Sequence, residues 1–220
     1  MAVAGGGGST PGDTSQALRS AAQALAVSVV PPVFDLARLP LDNPTPGCPT
    51  ITVQGNQIVM SFGSGCTNDA IGYAAGTVSV ETISQNQVRM TFSNFVWEVN
   101  DSLPINGQLT VNASTRTAQG ELQYGSGSCR PRFTITQATG DGTSYSIQGT
   151  VTTNRGSFPY TASVSFGGNC DWATGGNIVI GNGAARIDYL PNCGTAQFTI
   201  NGQTETVNLN NLANSYNPCN

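Results

Sequence analysis

Carboxylates are the only side chains in this sequence that could do acid/base chemistry near neutral pH. The 220-residue chain has no histidine, and all eight of its basic residues are arginines. Two carboxyl groups can hydrolyse a glycosidic bond when they lie about 5 Å apart for retention, or roughly 6.5–9.5 Å apart for inversion. Twelve acids on a surface of this size usually stay solvated, so the sequence favours a protein that is not an enzyme, with a glycan-active hydrolase as the alternative. The candidate acids are Glu98, Asp101, Asp69, Asp171 and Asp188.

Metal and cofactor chemistry has little support in the sequence. Without histidine there is no Ser-His-Asp machinery and no imidazole ligand, and the six cysteines contain no CxxC pair. Asn68-Asp69 and Gly140-Asp141-Gly142 place oxygen ligands in loops, but no EF-hand series of acids is present. A role in forming turns explains the presence of these residues better than calcium binding does. We expect no cofactor and no metal.

Charge and hydropathy exclude two classes of partner. A net charge of −4, with arginines scattered along the chain, cannot supply the basic stripe that binds phosphates, so no nucleic-acid partner is expected. No apolar run approaches the roughly 18 residues of a membrane-spanning helix. The longest runs only from Ala24 to Val30, so we expect no helical transmembrane span.

Aromatic residues are the better indication of a binding site. Exposed rings could stack on apolar sugar faces or line an apolar ligand cavity. The alternative is that Trp97 belongs to the core and that Trp172 packs over a nearby disulfide, whereas Tyr124 ends a strand and is expected to be half exposed. The candidate ligand-binding residues are Trp97, Tyr124, Trp172 and Tyr73.

Two cysteine pairs bracket predicted hairpins. Cys48 and Cys66 flank strands around Gly55-Asn56, and Cys170 and Cys193 flank strands around a Gly-Asn-Gly turn. Partners at a hairpin base lie about 5 Å apart, which a disulfide accepts. Six cysteines allow 15 connectivities, and hairpin geometry favours these two pairs. The remaining pair, assigned by elimination, is Cys129–Cys219. Three disulfides indicate an oxidising compartment, either periplasmic or extracellular.

One short helix precedes a long run of strands. Residues 1–13 read as a flexible Gly-rich tether, and residues 14–32 as a helix capped at Asp13 or Thr14 and stopped by Pro31-Pro32. The helix carries a single charge, Arg19, so docking on the sheet is favoured over membrane binding. Residues 33–220 are predicted to form a single disulfide-stapled β domain.

The β region alternates apolar with Thr, Ser, Gln and Asn residues. This pattern predicts an all-β antiparallel meander of about twelve strands, closed into a sandwich or barrel so that its apolar face is covered. Asn106-Gly107 and Asn201-Gly202 are predicted turns. The apolar parity changes between Phe92 and Phe95, which predicts a bulge near Ser93-Asn94.

Several segments resemble a known group of proteins. IVMSFGSGCT (58–67), VRMTFSNFVWEVN with PINGQLTV, and CDWATGGNIVI followed by TAQFTINGQTETVNL are similar to Bacteroidetes-type exported putative lipoproteins with FGxGCT and CxW…TINGQ motifs. The resemblance covers about Cys48 to Leu209. It implies an exported β protein, often lipid-anchored, and carries over no catalytic residue. The matching positions are Phe62, Gly63, Gly65, Cys66, Asn94, Gly107, Cys170, Trp172, Cys193, Asn201 and Gly202.

Together these features predict a non-catalytic extracellular or periplasmic β protein, and the resemblance implies a lipid anchor in its native form. Its polar, charge-poor surface suits a glycan or another cell-surface component better than a charged metabolite, and an apolar ligand or a structural role also fits. A further alternative is a surface subunit that self-assembles by pairing open β edges, since no lysine protects them.

Overall fold

The computed structural model describes residues 11–28, 47–68, 72–97, 103–168 and 170–219. Helix α1 (Pro11–Val27) precedes thirteen strands, and a short helix α2 (Leu209–Ser215) follows them. The strands are β1 (Thr50–Gln54), β2 (Gln57–Asn68), β3 (Gly72–Ser84), β4 (Gln87–Trp97), β5 (Ile105–Asn112), β6 (Thr117–Tyr124), β7 (Arg132–Gly140), β8 (Ser144–Thr153), β9 (Gly156–Ser165), β10 (Gly175–Ile180), β11 (Ala185–Tyr189), β12 (Thr195–Ile200) and β13 (Gln203–Asn208).

All thirteen strands form one antiparallel sheet in which each strand pairs with its neighbour in the chain. The all-β meander predicted from the sequence is therefore confirmed, with one strand more than expected. The expected closure is wrong, because β1 and β13 stand at opposite edges of an open sheet. Part of the apolar face is covered by α1 instead, which contacts β8 to β12.

The period-two pattern sorts side chains onto two faces. Cross-strand neighbours such as Met60, Val78 and Phe92 are buried on the core-facing side. Their flanking residues, mostly Thr, Ser, Gln and Asn, form the opposite outer face. The outer face is thus mainly polar, as the sequence predicts, and six of its charged side chains form the ion pairs Glu81–Arg89, Glu121–Arg132 and Arg186–Asp188.

Helix α1 is buried around most of its circumference. Leu18, Ala22 and Leu25 belong to the same core as the sheet, and the small alanines permit close approach to the strands. At its exposed side, Arg19 forms an ion pair with Glu205 of β13, and Asn201 Nδ2 donates to Ser15 Oγ at 2.6 Å. Docking on the sheet is therefore confirmed.

The helix begins at Pro11, earlier than the predicted cap at Asp13 or Thr14. Proline is favoured in the first turn, where its missing N–H has no intrahelical partner. The rest of the predicted tether, residues 1–10, and the predicted stop at Pro31-Pro32 lie outside the described residues. Among the helices of the described segments, none is long and apolar enough to cross a membrane.

The predicted bulge at Ser93-Asn94 is confirmed. The β4–β5 register shifts between Phe92 and Phe95, so both rings enter the core with centroids 6.0 Å apart. The Asn201-Gly202 turn is also confirmed, with positive φ at both residues as a type I′ hairpin requires.

Asn106-Gly107 was expected to form a turn, and this expectation is wrong. Both residues lie inside β5. Asn106 Oδ1 accepts a hydrogen bond from the backbone N–H of Asn94 at 2.9 Å, so its side chain caps the bulge in the neighbouring strand. An Asn-Gly pair can serve a bulge as well as a hairpin, because both need polar side chains or unusual φ angles.

All three predicted disulfides are present. Cα–Cα distances are 5.9 Å for Cys48–Cys66, 5.6 Å for Cys170–Cys193 and 5.1 Å for Cys129–Cys219. The first two close hairpin regions, whereas the third joins the loop after β6 to the end of the chain.

Several tyrosine hydroxyls are buried in the core. Those of Tyr124, Tyr160 and Tyr189 have no hydrogen-bond partner within the described part of the chain. Burial raises the pKa of each phenol above its ordinary value, and the neighbouring Tyr160 raises that of Tyr124 further. An unpaired buried hydroxyl is tolerated while it is neutral, but an unpaired phenolate would be far more costly.

These phenols predict a loss of stability in alkali. Below the ordinary tyrosine pKa of about 10 both folded and unfolded chains keep their phenol protons, so stability is unaffected. Above it the unfolded chain releases protons that the folded chain retains, and the free energy of unfolding falls with pH. We expect urea unfolding midpoints to drop between about pH 9 and about pH 11. Replacing Tyr124, Tyr160 and Tyr189 together by phenylalanine should flatten this decline, and an unchanged slope would contradict the assignment.

Candidate functional site

The aromatic candidates are not brought together on one surface. Tyr124 is 1 % exposed and packs edge-on against Phe133, with ring centroids 5.2 Å apart. The expectation of a half-exposed ring is therefore wrong. Tyr124 shares its parity with Leu122, and both side chains point into the core. Trp97 ends β4 opposite Ala74, and its side chain lies outside the described part of the chain.

The other two aromatic candidates make local structural contacts. Trp172 is half-buried, and its Nε1–H donates to Asn210 Oδ1 at 2.6 Å, which ties the Cys170–Cys193 loop to α2. Tyr73 is exposed, and its hydroxyl donates to the carbonyl oxygen of Ser64 at 3.2 Å. Neither residue lines a groove whose lining is described.

The two acidic candidates that the structure describes lie in different surroundings. Asp188 lies on β11, where Arg186 Nε donates to both of its carboxylate oxygens at 2.8 Å. Asp171 lies exposed in the loop that follows Cys170. Glu98, Asp101 and Asp69 fall outside the described residues.

The loop oxygens proposed as calcium candidates have a turn role where they are described. Asp141 Oδ1 accepts from the N–H of Thr143 at 2.9 Å and from the N–H of Ser144 at 2.8 Å. These backbone hydrogen bonds lower the pKa of the Asp141 carboxyl below its usual value. Asn68 ends β2, next to the undescribed Asp69. Across the described ranges, no group of three or more His, Cys, Asp or Glu side chains could hold a metal ion.

The strongest candidate site is a groove on the outer face of β5, β6 and β7. It has a volume of about 530 Å³, and a second hollow of about 320 Å³ continues it toward Gln87 and Asn112. The two share Thr110, Gln119 and Thr136. We call this continuous surface the outer groove, and its main polar lining residues are Gln108, Thr110, Gln119, Glu121, Thr134 and Thr136.

Local irregularities in the strands bend the sheet at the outer groove. The β6–β7 register shifts between Ala118 and Gly120, and the β7–β8 register shifts between Ile135 and Gln137. Gly107 and Gly120 have φ angles of 128° and 149°. A Cβ at either position would overlap a carbonyl oxygen of the neighbouring strand, so glycine permits this close approach. Bulges of this kind re-aim side chains and increase the twist of the sheet.

The lining of the outer groove is rich in neutral hydrogen-bonding groups. Gln108 Nε2 donates to Thr91 Oγ1 at 3.2 Å, which orients the amide beside the groove. Glu121, the carboxylate among the lining residues, has Oε1 at 3.3 Å from Nε of Arg132. Opposite charges therefore offset each other at this end, and the groove presents hydroxyl and amide groups without a strong net field.

Sequence reasoning anticipated the polar outer face but missed the groove. A signal was present in β7, where Phe133 and Ile135 are followed by the buried Ala138 at the opposite parity. That change of parity marks a bulge, as it does at Phe92 and Phe95. Both register shifts come from this one extra residue in β7, because β6 keeps a single parity from Ala118 through Gly120 to Tyr124.

Comparison with protein families, with curated proteins and with solved structures finds no match to this chain. The resemblance to exported putative lipoproteins stays a prediction.

Proposed function

We propose that this protein is a non-catalytic binding module that recognises neutral glycans through the outer groove. The observation that carries the proposal is the continuous groove lined by glutamine and threonine side chains. Amides offer a donor and an acceptor side by side, and hydroxyls can act as either, which matches the alternating donors and acceptors of a sugar chain. The weak electrostatic field of the outer groove also does not reduce the affinity for an uncharged polymer.

A catalytic role has less support at this place. Hydrolysis of a glycoside by the usual route requires two carboxyl groups, one on each side of the scissile bond. Glu121 is the carboxylate among the described lining residues, and Arg132 is its ion-pair partner. An apolar ligand is also less favoured, because the core-facing side chains are closely packed with α1 against β8 to β12.

The proposed location is an oxidising extracellular or periplasmic compartment. Three disulfides are compatible with that environment, because reducing cytosolic conditions normally keep thiols free. A lipid anchor on the native protein remains a prediction from the resemblance.

Glycan binding predicts a specific loss when the groove amides are removed. The double variant Gln108→Ala/Gln119→Ala should bind a neutral polysaccharide about tenfold more weakly or worse, since each hydrogen bond contributes about 1 kcal/mol. Both side chains are exposed, so folding should be unaffected. The matched control is Gln197→Ala, an equally exposed amide on the outer face of β12.

The measurement is a glycan array followed by calorimetry on the best neutral ligand. Binding should change little between low and moderate salt, because neither partner carries a strong charge at the site. The proposal fails if no neutral glycan binds, or if Gln197→Ala weakens binding as much as the groove variant does.

We propose self-association by edge pairing as a second candidate function. The specific observation in its favour is that the sheet is open, so β1 offers an unpaired strand edge in the described structure. Such an edge is a ready template for another strand.

A further inference from the structure

The two edges of the sheet differ in how they are protected. Strand β13 carries Glu205 on its core-facing side, opposite Phe198, where it forms an ion pair with Arg19 of α1. Helix α2 follows β13 directly and contacts both β13 and α1. Inward-pointing charges and covering helices are recognised means by which proteins prevent edge-to-edge pairing. This edge is therefore protected against pairing with another strand.

Within the described part of the chain, neither an inward-pointing charge nor a helix protects strand β1 along its five residues. Its sequence, Thr-Ile-Thr-Val-Gln, contains no charge and no proline, and Pro49 ends the pairing edge on one side. Val53 is 67 % exposed although it lies in the core-facing row with Ile58 and Val80. An apolar side chain on the core-facing side of an uncharged edge gains from being covered by another strand.

The order of side chains in β1 fits a second copy of the same strand. When two copies pair antiparallel about a two-fold axis through Thr52, Ile51 of each copy lies opposite Val53 of the other, on the core-facing side. Thr52 then faces Thr52 on the outer side, and Thr50 faces Gln54. Apolar meets apolar, polar meets polar, and no like charges oppose each other.

We infer that β1 is the contact of a symmetric dimer, in which two copies of this chain join their sheets edge to edge. The inference depends on the edge-pairing function proposed above and adds the strand, the register and the stoichiometry. Association ends at two copies. A symmetric contact uses the β1 strand of both copies, and the other edge, β13, is protected against pairing. Two five-residue strands bury well under the ~1,200 Å² of a standard interface, so the dimer is weak and concentration-dependent.

A single added cysteine tests the register. All six native cysteines are disulfide-bonded, so Thr52→Cys supplies one free thiol on β1. Residues directly opposite in an antiparallel pair have Cα atoms about 4.5–5.5 Å apart, which suits a disulfide. Under mild oxidation we expect Thr52→Cys to form a covalent dimer at high protein concentration, seen on a non-reducing gel.

Three matched controls make the result specific. Thr206→Cys places an equally exposed outer-face thiol on β13 and should not cross-link. Thr50→Cys alone should not cross-link, because its two copies would lie roughly 13 Å apart along the strands. A mixture of Thr50→Cys and Gln54→Cys should give the mixed dimer.

Sedimentation of the untagged wild-type chain between about 10 µM and about 1 mM measures the stoichiometry directly. A reversible monomer–dimer equilibrium that Val53→Arg abolishes supports the inference, and the exposure of Val53 means that folding should survive this substitution. Monomer at every concentration overturns both the inference and edge pairing. Species larger than a dimer, cross-linking of Thr206→Cys, or cross-linking of Thr50→Cys with itself overturns the inference while leaving edge pairing in place.

Discussion

Replacing Ala22 by glutamate is expected to destabilise the protein by about 3–5 kcal/mol, because the new carboxylate would be buried without a partner. Ala22 has no exposed surface, and α1 packs it within the single core that the helix shares with the sheet. Either the helix leaves the sheet and uncovers apolar residues of β8 to β12, or the carboxyl takes up a proton. Both outcomes lower the free energy of unfolding near neutral pH.

The matched control for Ala22→Glu is Gln16→Glu on the same helix. Gln16 is exposed, and its Oε1 accepts from Arg155 Nη1 at 3.0 Å, so a carboxylate there keeps a favourable partner. We expect Gln16→Glu to change the free energy of unfolding by less than about 1 kcal/mol. Urea denaturation followed by circular dichroism separates the two variants. Equal, small effects would show that α1 is not packed against the sheet.

Removing the Cys129–Cys219 disulfide should cause a comparable loss. The cysteines are 90 residues apart in sequence, and the chain-entropy model gives about 4–5 kcal/mol for a loop of that length. The tail that the bridge holds also receives a hydrogen bond from Asn154 Nδ2 to the carbonyl oxygen of Cys219 at 3.3 Å. The double variant Cys129→Ser/Cys219→Ser should therefore unfold at a clearly lower urea concentration.

The Cys48→Ser/Cys66→Ser variant is the comparison for loop length. Its cysteines are 18 residues apart, for which the same model gives about 3 kcal/mol. Each variant keeps the other two disulfides. The difference between their free energies of unfolding therefore reports which disulfide is missing. A smaller loss for the long loop than for the short one would contradict the expectation that a disulfide stabilises more when it closes a longer loop.

The hairpins and disulfides could be predicted because their signals are local. Cys48 and Cys66 bracket a two-strand unit whose turn residues are visible in the sequence, and the parity change at Phe92 and Phe95 identified a bulge that the structure contains. Period-two alternation likewise gave the all-β meander, since each strand pairs with its chain neighbour.

Features that depend on long-range packing could not be predicted in the same way. Closure was expected because an apolar face must be covered, but nothing in the sequence shows that α1 would lie against β8 to β12. The position of Tyr124 at a strand end predicts a half-exposed ring, although its parity with Leu122 indicates the burial that the structure shows. The outer groove depends on how β5, β6 and β7 meet around the bulge in β7, which local sequence patterns alone do not give.

We propose that the outer groove binds a neutral glycan by hydrogen bonds from its side chains. Nuclear magnetic resonance of the isotope-labelled protein during titration with such a glycan tests it most directly. We predict that the side-chain amide signals of Gln108 and Gln119 shift in proportion to occupancy while that of Gln197 stays in place. Shifts confined to residues away from β5, β6 and β7, or no shift with any neutral glycan, would contradict the account.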